Sequence, residues 1–246
     1  MTEPEIIYED RNFLAINKPA GLVVHAAKHR GTKGREEREP EPTLVDWLLK
    51  HCPEVAGVGD DLALRPGIVH RLDKETSGVM LVPKTQEYFE YLKSLFQKHE
   101  VKKTYYAVVR GVPKTAEGVI DAPIGIRNGT LKRSTRSTKM RKEAVTEYRV
   151  LKNFQYGISL LEVHPLTGRT HQIRVHLASI GHPIVGDALY GAGSKELRAK
   201  SGGRLLLHAG AIEFPKEDGS TIRIETALPD GFENAGLNLS TGGILS

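Results

Sequence analysis

The sequence carries GIVHRLDKETSGVMLVP at residues 67–83, a charged loop that runs straight into a compact apolar stretch. The stretch from Gly78 to Val82 is short, unbroken and followed by Pro83, which is typical of a buried strand. We expect a short strand before the loop as well. Loops held by strands commonly carry reactive groups, so this stretch is the first candidate for a functional site.

Further strands are predicted on both sides of this stretch, and the short turns between them favour antiparallel pairing. They are expected at residues 6–8, 13–16, 102–110, 144–154, 158–164, 204–214 and 221–226. Helices are predicted from a cap at Thr43 to the residue before Pro53, and over about 86–98, where apolar residues recur at helical spacing. The predicted fold class is therefore α+β, a mixed, largely antiparallel sheet with helices packed against it.

A third helix is predicted in the second half of the chain. Thr170 is expected to cap it, and Ile173, Leu177 and Ile180 form its apolar stripe. Arg174 then lies beside this stripe, near the N-terminus of the helix.

The composition is that of an ordered protein with a mild basic surplus. Its 246 residues include 35 Lys and Arg against 30 Asp and Glu, a net charge of +5, and 39% are hydrophobic. This hydrophobic content is enough for a packed core, which excludes wholesale disorder. Cys52 is the single cysteine, which excludes an intramolecular disulfide and a paired-thiolate zinc site and indicates a reducing compartment.

Sequence patterns for export, nucleotide binding and metal chemistry are missing. The start of the chain lacks a signal-peptide pattern, and no apolar run approaches the ~18 residues of a membrane span. The phosphate-loop and Gly-x-Ser-x-Gly patterns do not occur. His171 and His176 are five residues apart, so they do not share a helix face as paired metal ligands would. We therefore expect a cytoplasmic protein with no membrane partner, no metal and no cofactor.

A second polar segment, HPLTGRTHQIRVH at residues 164–176, adds to the charged loop. Residues 70–78 resemble the catalytic loop of the RluA family of RNA pseudouridine synthases, whose pattern is Arg-Leu-Asp-x-x-Thr-Ser-Gly. The resemblance continues in the family's order at residues 18–25, 103–111, 168–176, 181–187 and 207–209, and it covers roughly residues 5–226. It implies the family's catalytic domain fold and an enzyme that isomerises uridine in RNA without a cofactor.

The resemblance implies that Asp73 is the catalytic group, either as a nucleophile at C1′ or as a base at C2′ of the ribose. Either role needs an ionised carboxylate, whereas burial in an apolar pocket favours the protonated form. Arg174 matches the family's arginine that pairs with this aspartate, and a guanidinium favours the charged carboxylate. Tyr105 matches the active-site tyrosine, whose ring can pack on the target uracil. We expect Asp73 and Arg174 at the floor of a cleft.

Two groups of residues are expected to contact RNA. Arg71 and Leu72 lie in the catalytic loop, and the planar side chain of Arg71 could fill the gap left by an extruded uridine. Residues 127–142 contain seven cations and no acid, a composition suited to gripping phosphates. These cations are Arg127, Lys132, Arg133, Arg136, Lys139, Arg141 and Lys142. The RNA that we expect is bacterial large-subunit ribosomal RNA, with transfer RNA as the alternative, bound by a monomer.

The predicted organisation is one catalytic domain over residues 1–228. It includes a solvated loop at 28–42 and a basic loop at 127–142, and an irregular tail follows at 229–246. Because the first strand begins by about residue 5, we expect no separate N-terminal RNA-binding module.

Plainer interpretations stay open at this point. Asp73 alone would suit a turn, Arg174 an ordinary ion pair, and Tyr105 a core aromatic. The basic stretch would suit a solvated hairpin. Two other functions are also open: an RNA-binding protein of the same fold without catalysis, and an unrelated hydrolase using Asp73 and a histidine. The hydrolase predicts a bound metal or a serine near His70.

Overall fold

The computed structural model describes residues 2–26, 41–127, 132–154, 157–191, 203–229 and 232. It divides the chain into two compact units. The first is Met1–Val101 with Phe214–Thr226, and the second is Lys102–Glu213 with Ala227–Ser246. The single domain over residues 1–228 stays a prediction. The predicted loop at 28–42 and tail at 229–246 lie outside the described residues except at 41–42, 229 and 232.

The first unit contains three consecutive antiparallel strands and two helices. Strand β2 pairs with β1 on one side and with β3 on the other. The turn between β1 and β2 is fixed by Asp10, whose Oδ1 accepts the N–H groups of Asn12 and Phe13 at 2.8 and 3.0 Å. The elements are β1 (Glu5–Glu9), β2 (Phe13–Lys18), α1 (Leu44–His51), a 3₁₀ helix (Pro53–Gly57), β3 (Ser77–Pro83), α2 (Gln86–Gln97) and β11 (Thr221–Glu225).

Both helices of this unit start where their sequences predict. Thr43 and Asp46 form a reciprocal capping box at the start of α1. Thr85 accepts the N–H of Tyr88 at 3.2 Å at the start of α2. Helix α2 packs against β3, all seven residues of which are buried. The buried strand predicted after the charged loop is therefore confirmed.

The prediction of a short strand before the charged loop is wrong. Residues 61–76 form turns, bends and irregular backbone instead. Gly67 adopts a φ of +70°, and its N–H donates to the Val58 carbonyl at 2.7 Å. The Ile68 N–H donates to Arg65 at 3.2 Å. Because these donors bond to carbonyls that lie outside any strand, this part of the segment does not join a strand ladder.

The second unit pairs five strands in the order β10-β4-β9-β8-β5, each antiparallel to its neighbour. Helix α3 packs against β8 and β9. The core between them includes the buried side chains of Val109, Leu161 and Leu177. The elements are β4 (Lys102–Arg110), β5 (Glu117–Asp121), β6 (Gly125–Ile126), β7 (Arg133–Ser134), β8 (Val145–Phe154), β9 (Ile158–Pro165), α3 (Gln172–Ser179) and β10 (Leu207–Pro215) up to Glu213.

Helix α3 starts two residues later than the cap predicted at Thr170. The residue before the helix is His171, in the left-handed conformation with a φ of 58° and a ψ of 21°. The preceding loop is folded onto the side chain of Gln172, whose Oε1 accepts Thr167 Oγ1 at 2.7 Å and the Arg169 N–H at 2.9 Å. The prediction of Thr170 as the cap is therefore wrong, because the helix-terminal hydrogen bonds come from a residue within the helix.

The apolar stripe predicted for α3 is right at Ile173 and Leu177, which are buried, and wrong at Ile180, which is 38% exposed. The helix ends at Ser179, so the stripe stops one turn early. No helix in the described ranges is long and apolar enough to cross a membrane. The predicted α+β class is confirmed, since helices pack on strands whose pairings within both units are antiparallel.

Candidate active site

The loop that carries Asp73 belongs to the first unit and is anchored on both sides of that residue. Asp73 is half-buried, and its carbonyl accepts the N–H of Thr76 at 3.1 Å. Leu72 before it and Thr76 after it are only 4% and 3% exposed. The carboxyl group is therefore presented by a fixed turn rather than by a mobile surface loop.

Lys18 holds the backbone next to Asp73. Its side chain is completely buried, and Nζ donates to the carbonyls of Pro19, Leu22 and Lys74 at 2.8, 2.9 and 3.1 Å. The N–H of Gly21 also donates to the Lys74 carbonyl at 2.8 Å. Burying an ammonium is costly unless its donors are satisfied, and here they reach carbonyl oxygens. The 18–22 segment thereby fixes the position of the residue that follows Asp73.

His70 joins the same loop to the unit's core. Its Nε2 accepts the N–H of Leu81 at 2.9 Å, and its ring stacks on Phe96 with the centroids 4.7 Å apart. An acceptor Nε2 implies that the proton of the neutral ring is on Nδ1. These contacts give His70 a structural role.

The other predicted residues of this loop differ in exposure. Arg71 is exposed, and its Nη1 lies 2.9 Å from His25 Nε2. The next residue, Leu72, is buried. Lys74 forms an exposed ion pair with Glu41 at 2.6 Å. The RNA contacts proposed for Arg71 and Leu72 stay predictions.

Tyr105 belongs to the second unit, near the start of β4. It lies opposite Val163 on β9 and Ala209 on β10, and it packs against the core of this unit while half-buried. Tyr106 projects to the other face of the strand and lies over Gly210. A Cβ at position 210 would overlap the Tyr106 ring. The position of Tyr105 is compatible with the predicted role, which stays a prediction.

Arg174 is a buried residue of α3, and its side chain pairs with an aspartate that sequence reasoning did not select. Nε donates to Asp187 Oδ2 at 2.8 Å, and Nη2 donates to Asp187 Oδ1 at 2.9 Å. Asp187 lies within the segment 181–187 that resembles the family, but its residue type alone indicated no role. Asp73 and Arg174 belong to different units, so their pairing stays a prediction.

Asp187 is itself held by the turn that follows it. Its side chain is completely buried, and Oδ1 also accepts the N–H groups of Leu189 and Tyr190 at 2.8 and 3.0 Å. Burial acts to raise the pKa of this carboxyl, but the hydrogen bonds and charge of Arg174 and the two backbone donors outweigh it and lower the pKa. Asp187 is therefore a carboxylate at neutral pH.

Two glycines make this turn possible. Gly186 has a φ of +81°, and a Cβ there would overlap the Arg204 carbonyl. A Cβ on Gly191 would overlap the carbonyl of Asp187, to which the Gly191 N–H donates at 3.0 Å. The backbone approaches too closely at both ends of the turn for any side chain.

Tyr190 covers the guanidinium of Arg174. The Arg174 carbon Cζ lies 5.3 Å from the centroid of the Tyr190 ring. The Tyr190 hydroxyl lies 2.9 Å from His171 Nδ1 and accepts the Arg133 N–H at 2.8 Å. Because His171 is the left-handed residue before α3, its ring ties the start of the helix to the same cluster.

A polar chain continues along the inner side of α3. Gln172 Nε2 donates to Thr146 Oγ1 at 3.0 Å, and Thr146 Oγ1 lies 2.8 Å from His176 Nδ1. His176 Nε2 lies 2.8 Å from the Ala122 carbonyl, which can only accept. Burial lowers the pKa of His176, so the ring is neutral with its proton on Nε2. These contacts give His176 a structural role.

The described part of the predicted basic loop contains the short strands β6 and β7, which pair as a hairpin; with the described residues around them we call it the basic hairpin (residues 125–127 and 132–142). Residues 128–131 of the predicted loop lie outside the described residues. Five of its cations are exposed and two, Lys132 and Arg133, are half-buried. A groove of about 820 Å³ lies between the basic hairpin and α3, and the described residues that line it include no acid. Its lining is Arg127, Lys132, Arg133, Ser134, Thr135, Arg136, Ser137, Val175, Ala178, Ser179, Leu189 and Tyr190.

A metal site needs several ligating side chains close together. In the parts of the chain that the structure describes, no group of three or more His, Cys, Asp or Glu side chains is arranged to hold an ion.

Comparison with known proteins adds an independent observation. A family model described as RNA pseudouridylate synthase matches residues 12–179. An uncharacterized RNA pseudouridine synthase of Aquifex aeolicus is 46% identical over 187 residues, which are 76% of this chain and 55% of that protein. A ribosomal large subunit pseudouridine synthase D of Pseudomonas aeruginosa is 42% identical over 241 residues, 94% of this chain and 70% of that protein. This chain thus spans little more than half the length of the first of these relatives.

A solved structure has a similar fold. The structure of human RNA pseudouridylate synthase domain containing 4 superposes with a TM-score of 0.72 at 29% sequence identity. The superposition covers 95% of this chain and 92% of the human chain. The fold described above is therefore shared over almost the whole of both chains.

Proposed function

The chain belongs to the RNA pseudouridylate synthase family, and from this premise we propose that it isomerises uridine to pseudouridine in RNA. The observation that carries the proposal is the matched region 12–179, which contains the anchored loop of Asp73. Family membership confirms the resemblance read from the sequence and removes the unrelated hydrolase from consideration.

The proposed catalytic group is Asp73. In the reaction the bond between ribose C1′ and uracil N1 breaks, the base turns, and C1′ bonds to C5. The proton on C5 is then lost, and N1 gains one, so no electrons or groups enter or leave. A carboxylate could attack C1′ or remove the C2′ proton, and the fixed turn around Asp73 suits either role because it limits where the oxygen atoms can go.

Arg174 and Tyr105 are proposed to assist Asp73. A guanidinium beside the carboxylate would favour its ionised form and fix its plane. Tyr105 would pack its ring on the uracil and keep its hydroxyl available for proton movement.

RNA binding is assigned to the basic hairpin and to the exposed Arg71, with Leu72 beside it. The acid-free groove next to the hairpin offers four cations to phosphates, namely Arg127, Lys132, Arg133 and Arg136. Since a stacked uridine cannot reach a half-buried carboxylate, we propose that the target nucleotide is flipped out and that Arg71 fills the vacated space.

The proposed substrate is large-subunit ribosomal RNA of a bacterium, bound by a monomer in the cytoplasm. It is supported by the similarity to the Pseudomonas aeruginosa protein, whose name specifies the ribosomal large subunit. The alternative is a protein of the same fold that acts on transfer RNA or binds RNA without catalysis.

The test is tritium release from unmodified transcripts labelled at uridine C5, with large-subunit ribosomal RNA and transfer RNA assayed in parallel. We expect release from the ribosomal transcript and background release from Asp73→Asn. Glu75→Gln, an exposed carboxylate two residues away, is the matched control and should retain activity. Release that survives in Asp73→Asn would remove the catalytic assignment. Binding without release from either RNA would favour the non-catalytic alternative, and release from transfer RNA alone would change the substrate.

A further inference from the structure

The guanidinium of Arg174 is held along one edge by Asp187 and lies next to the ring of Tyr190. Asp187 accepts from Nε and from one N–H of Nη2. A guanidinium has five N–H bonds, so this contact leaves three, including both on Nη1, for groups other than Asp187. The ring of Tyr190 lies next to the guanidinium, with its centroid 5.3 Å from Cζ. The side chain is therefore oriented by Asp187 along one edge, and the Nη1 edge does not face Asp187.

We propose that Asp187 and Tyr190 are positioning residues, which fix the plane of Arg174 so that its remaining edge meets the carboxylate of Asp73. This inference rests on the proposed function, because it requires that Arg174 act on Asp73. Asp187 is not proposed to touch the RNA, and Tyr190, which lines the groove beside the basic hairpin, is proposed to act here through its contact with Arg174.

The two positioning residues are themselves fixed. Asp187 Oδ1 is held by the N–H groups of Leu189 and Tyr190, and the overlap at Gly191 leaves the turn no room for a side chain there. The Tyr190 hydroxyl is held by His171 and by the backbone of Arg133. An arginine side chain has several rotatable bonds, and its direction is defined only if its partners are rigid.

A purely structural ion pair is the competing explanation, and the burial of this pair argues against it. The side chains of Arg174 and Asp187 are 6% and 0% exposed. Charges so deeply buried lose much of their hydration, and apolar residues of similar size stabilise a fold equally well or better. The pair is better explained by a use for the oriented charge than by stability.

The test compares Asp187→Asn with Glu162→Gln, which removes the acid of an ion pair with Arg149 and a contact with His164 in the same unit. Tritium release gives kcat and KM, RNA binding is measured separately, and thermal unfolding defines a temperature at which each variant is folded. Asn keeps the size of the side chain, but its NH₂ group is a donor, so one N–H of Arg174 would face a donor instead of an acceptor. We expect kcat to fall about 10- to 100-fold in Asp187→Asn, with the dissociation constant for RNA changed by less than about 3-fold. Glu162→Gln should leave kcat unchanged.

A structural role would give a different pattern. If Asp187 acts through Arg174, the single-turnover rate of the double variant Asp187→Asn, Arg174→Lys should be less than about 2-fold below that of Arg174→Lys alone. If the two residues act independently, the rate losses of the two single variants should multiply in the double variant. A kcat of Asp187→Asn within about 2-fold of wild type, or a loss matched by an equal loss of RNA binding or folded protein, would overturn the proposal.

Tyr190→Phe decides the question if Asp187→Asn does not fold. It keeps the ring and removes the hydroxyl contacts with His171 and Arg133. We expect kcat to fall about 3- to 10-fold with RNA binding unchanged, and an unchanged kcat would overturn the proposal. Loss of activity in Asp73→Asn, together with full activity in both positioning variants, would refute this inference alone. An inactive wild type would instead refute the proposed function.

Discussion

Acidification should destabilise this protein through one buried histidine. His208 on β10 is completely buried, and its pKa is lowered from 6.5 to about 4, first by burial and then by the charge of Arg204, against a hydrogen bond to the Ala227 backbone. In the unfolded chain the imidazole is exposed and takes up a proton below pH 6.5. The unfolded state therefore binds more protons than the folded state between pH 6.5 and about 4, and stability falls as pH falls through this window.

The size of this effect follows from the two pKa values. Linkage gives a loss of about 2 kcal/mol in the free energy of unfolding between pH 7 and pH 5, and about 3 kcal/mol by pH 4, from His208 alone. Urea unfolding at these pH values measures the loss. Carboxylates also titrate in this pH range. The effect of His208 is therefore the difference between the loss of unfolding free energy in wild type and the loss in a variant whose residue 208 cannot be protonated.

His208→Asn supplies that comparison. Asn can donate a hydrogen bond in place of the imidazole but does not ionise. The free energy of unfolding of His208→Asn should therefore fall between pH 7 and pH 5 by about 2 kcal/mol less than that of wild type. His99→Asn is the matched control, because His99 is exposed and its φ of 60° is one that Asn also tolerates. It should behave as wild type does. Equal pH dependence in His208→Asn and wild type would refute the reasoning.

Three further predictions concern packing and charge. Lys18→Met should lower the free energy of unfolding by about 3 kcal/mol, because three backbone carbonyls lose a donor. The control Lys50→Met, at the exposed end of α1, should lower it by less than about 0.5 kcal/mol, and urea unfolding measures both. Gly191→Ala should lower the melting temperature by several degrees, because its Cβ would overlap a backbone carbonyl. In the control Gly168→Ala the new Cβ has no atom within 4 Å, so the melting temperature should not change. RNA affinity should fall as salt rises from about 50 to 200 mM, and Lys139→Gln should reduce the log–log slope by about 1; an unchanged slope would argue against a phosphate contact there.

The sequence was most informative where local signals and burial agree. Thr43 marks the start of α1 because a side-chain oxygen that caps a helix is a local property, and the helical spacing of apolar residues over about 86–98 predicts α2. The apolar run after Gly78 is a buried strand for the same reason. Strand β5 was missed because it is short and its second residue is Gly118, which lets the ring of Tyr148 lie against the backbone.

The errors at the candidate site arise from contacts between residues distant in sequence. Thr170 has the residue type of a cap, but Gln172 forms hydrogen bonds with both the loop before the helix and β8, and no local pattern encodes this. Arg174 was selected only by resemblance, and its partner Asp187 follows it by 13 residues on a different element. The basic hairpin was expected from its charge, whereas the contact of its backbone with Tyr190 depends on the fold.

The burial of Lys18 provides a chemical reporter of motion near Asp73. Primary amines on a protein surface are readily acylated by activated esters, but this one is enclosed by the carbonyls that it binds. It becomes reactive only when the 18–22 segment separates from the loop, so its labelling rate at low reagent measures how often that opening occurs. Slower labelling in the presence of RNA would show that substrate closes the loop, and mass spectrometry of a single peptide would be enough to read it.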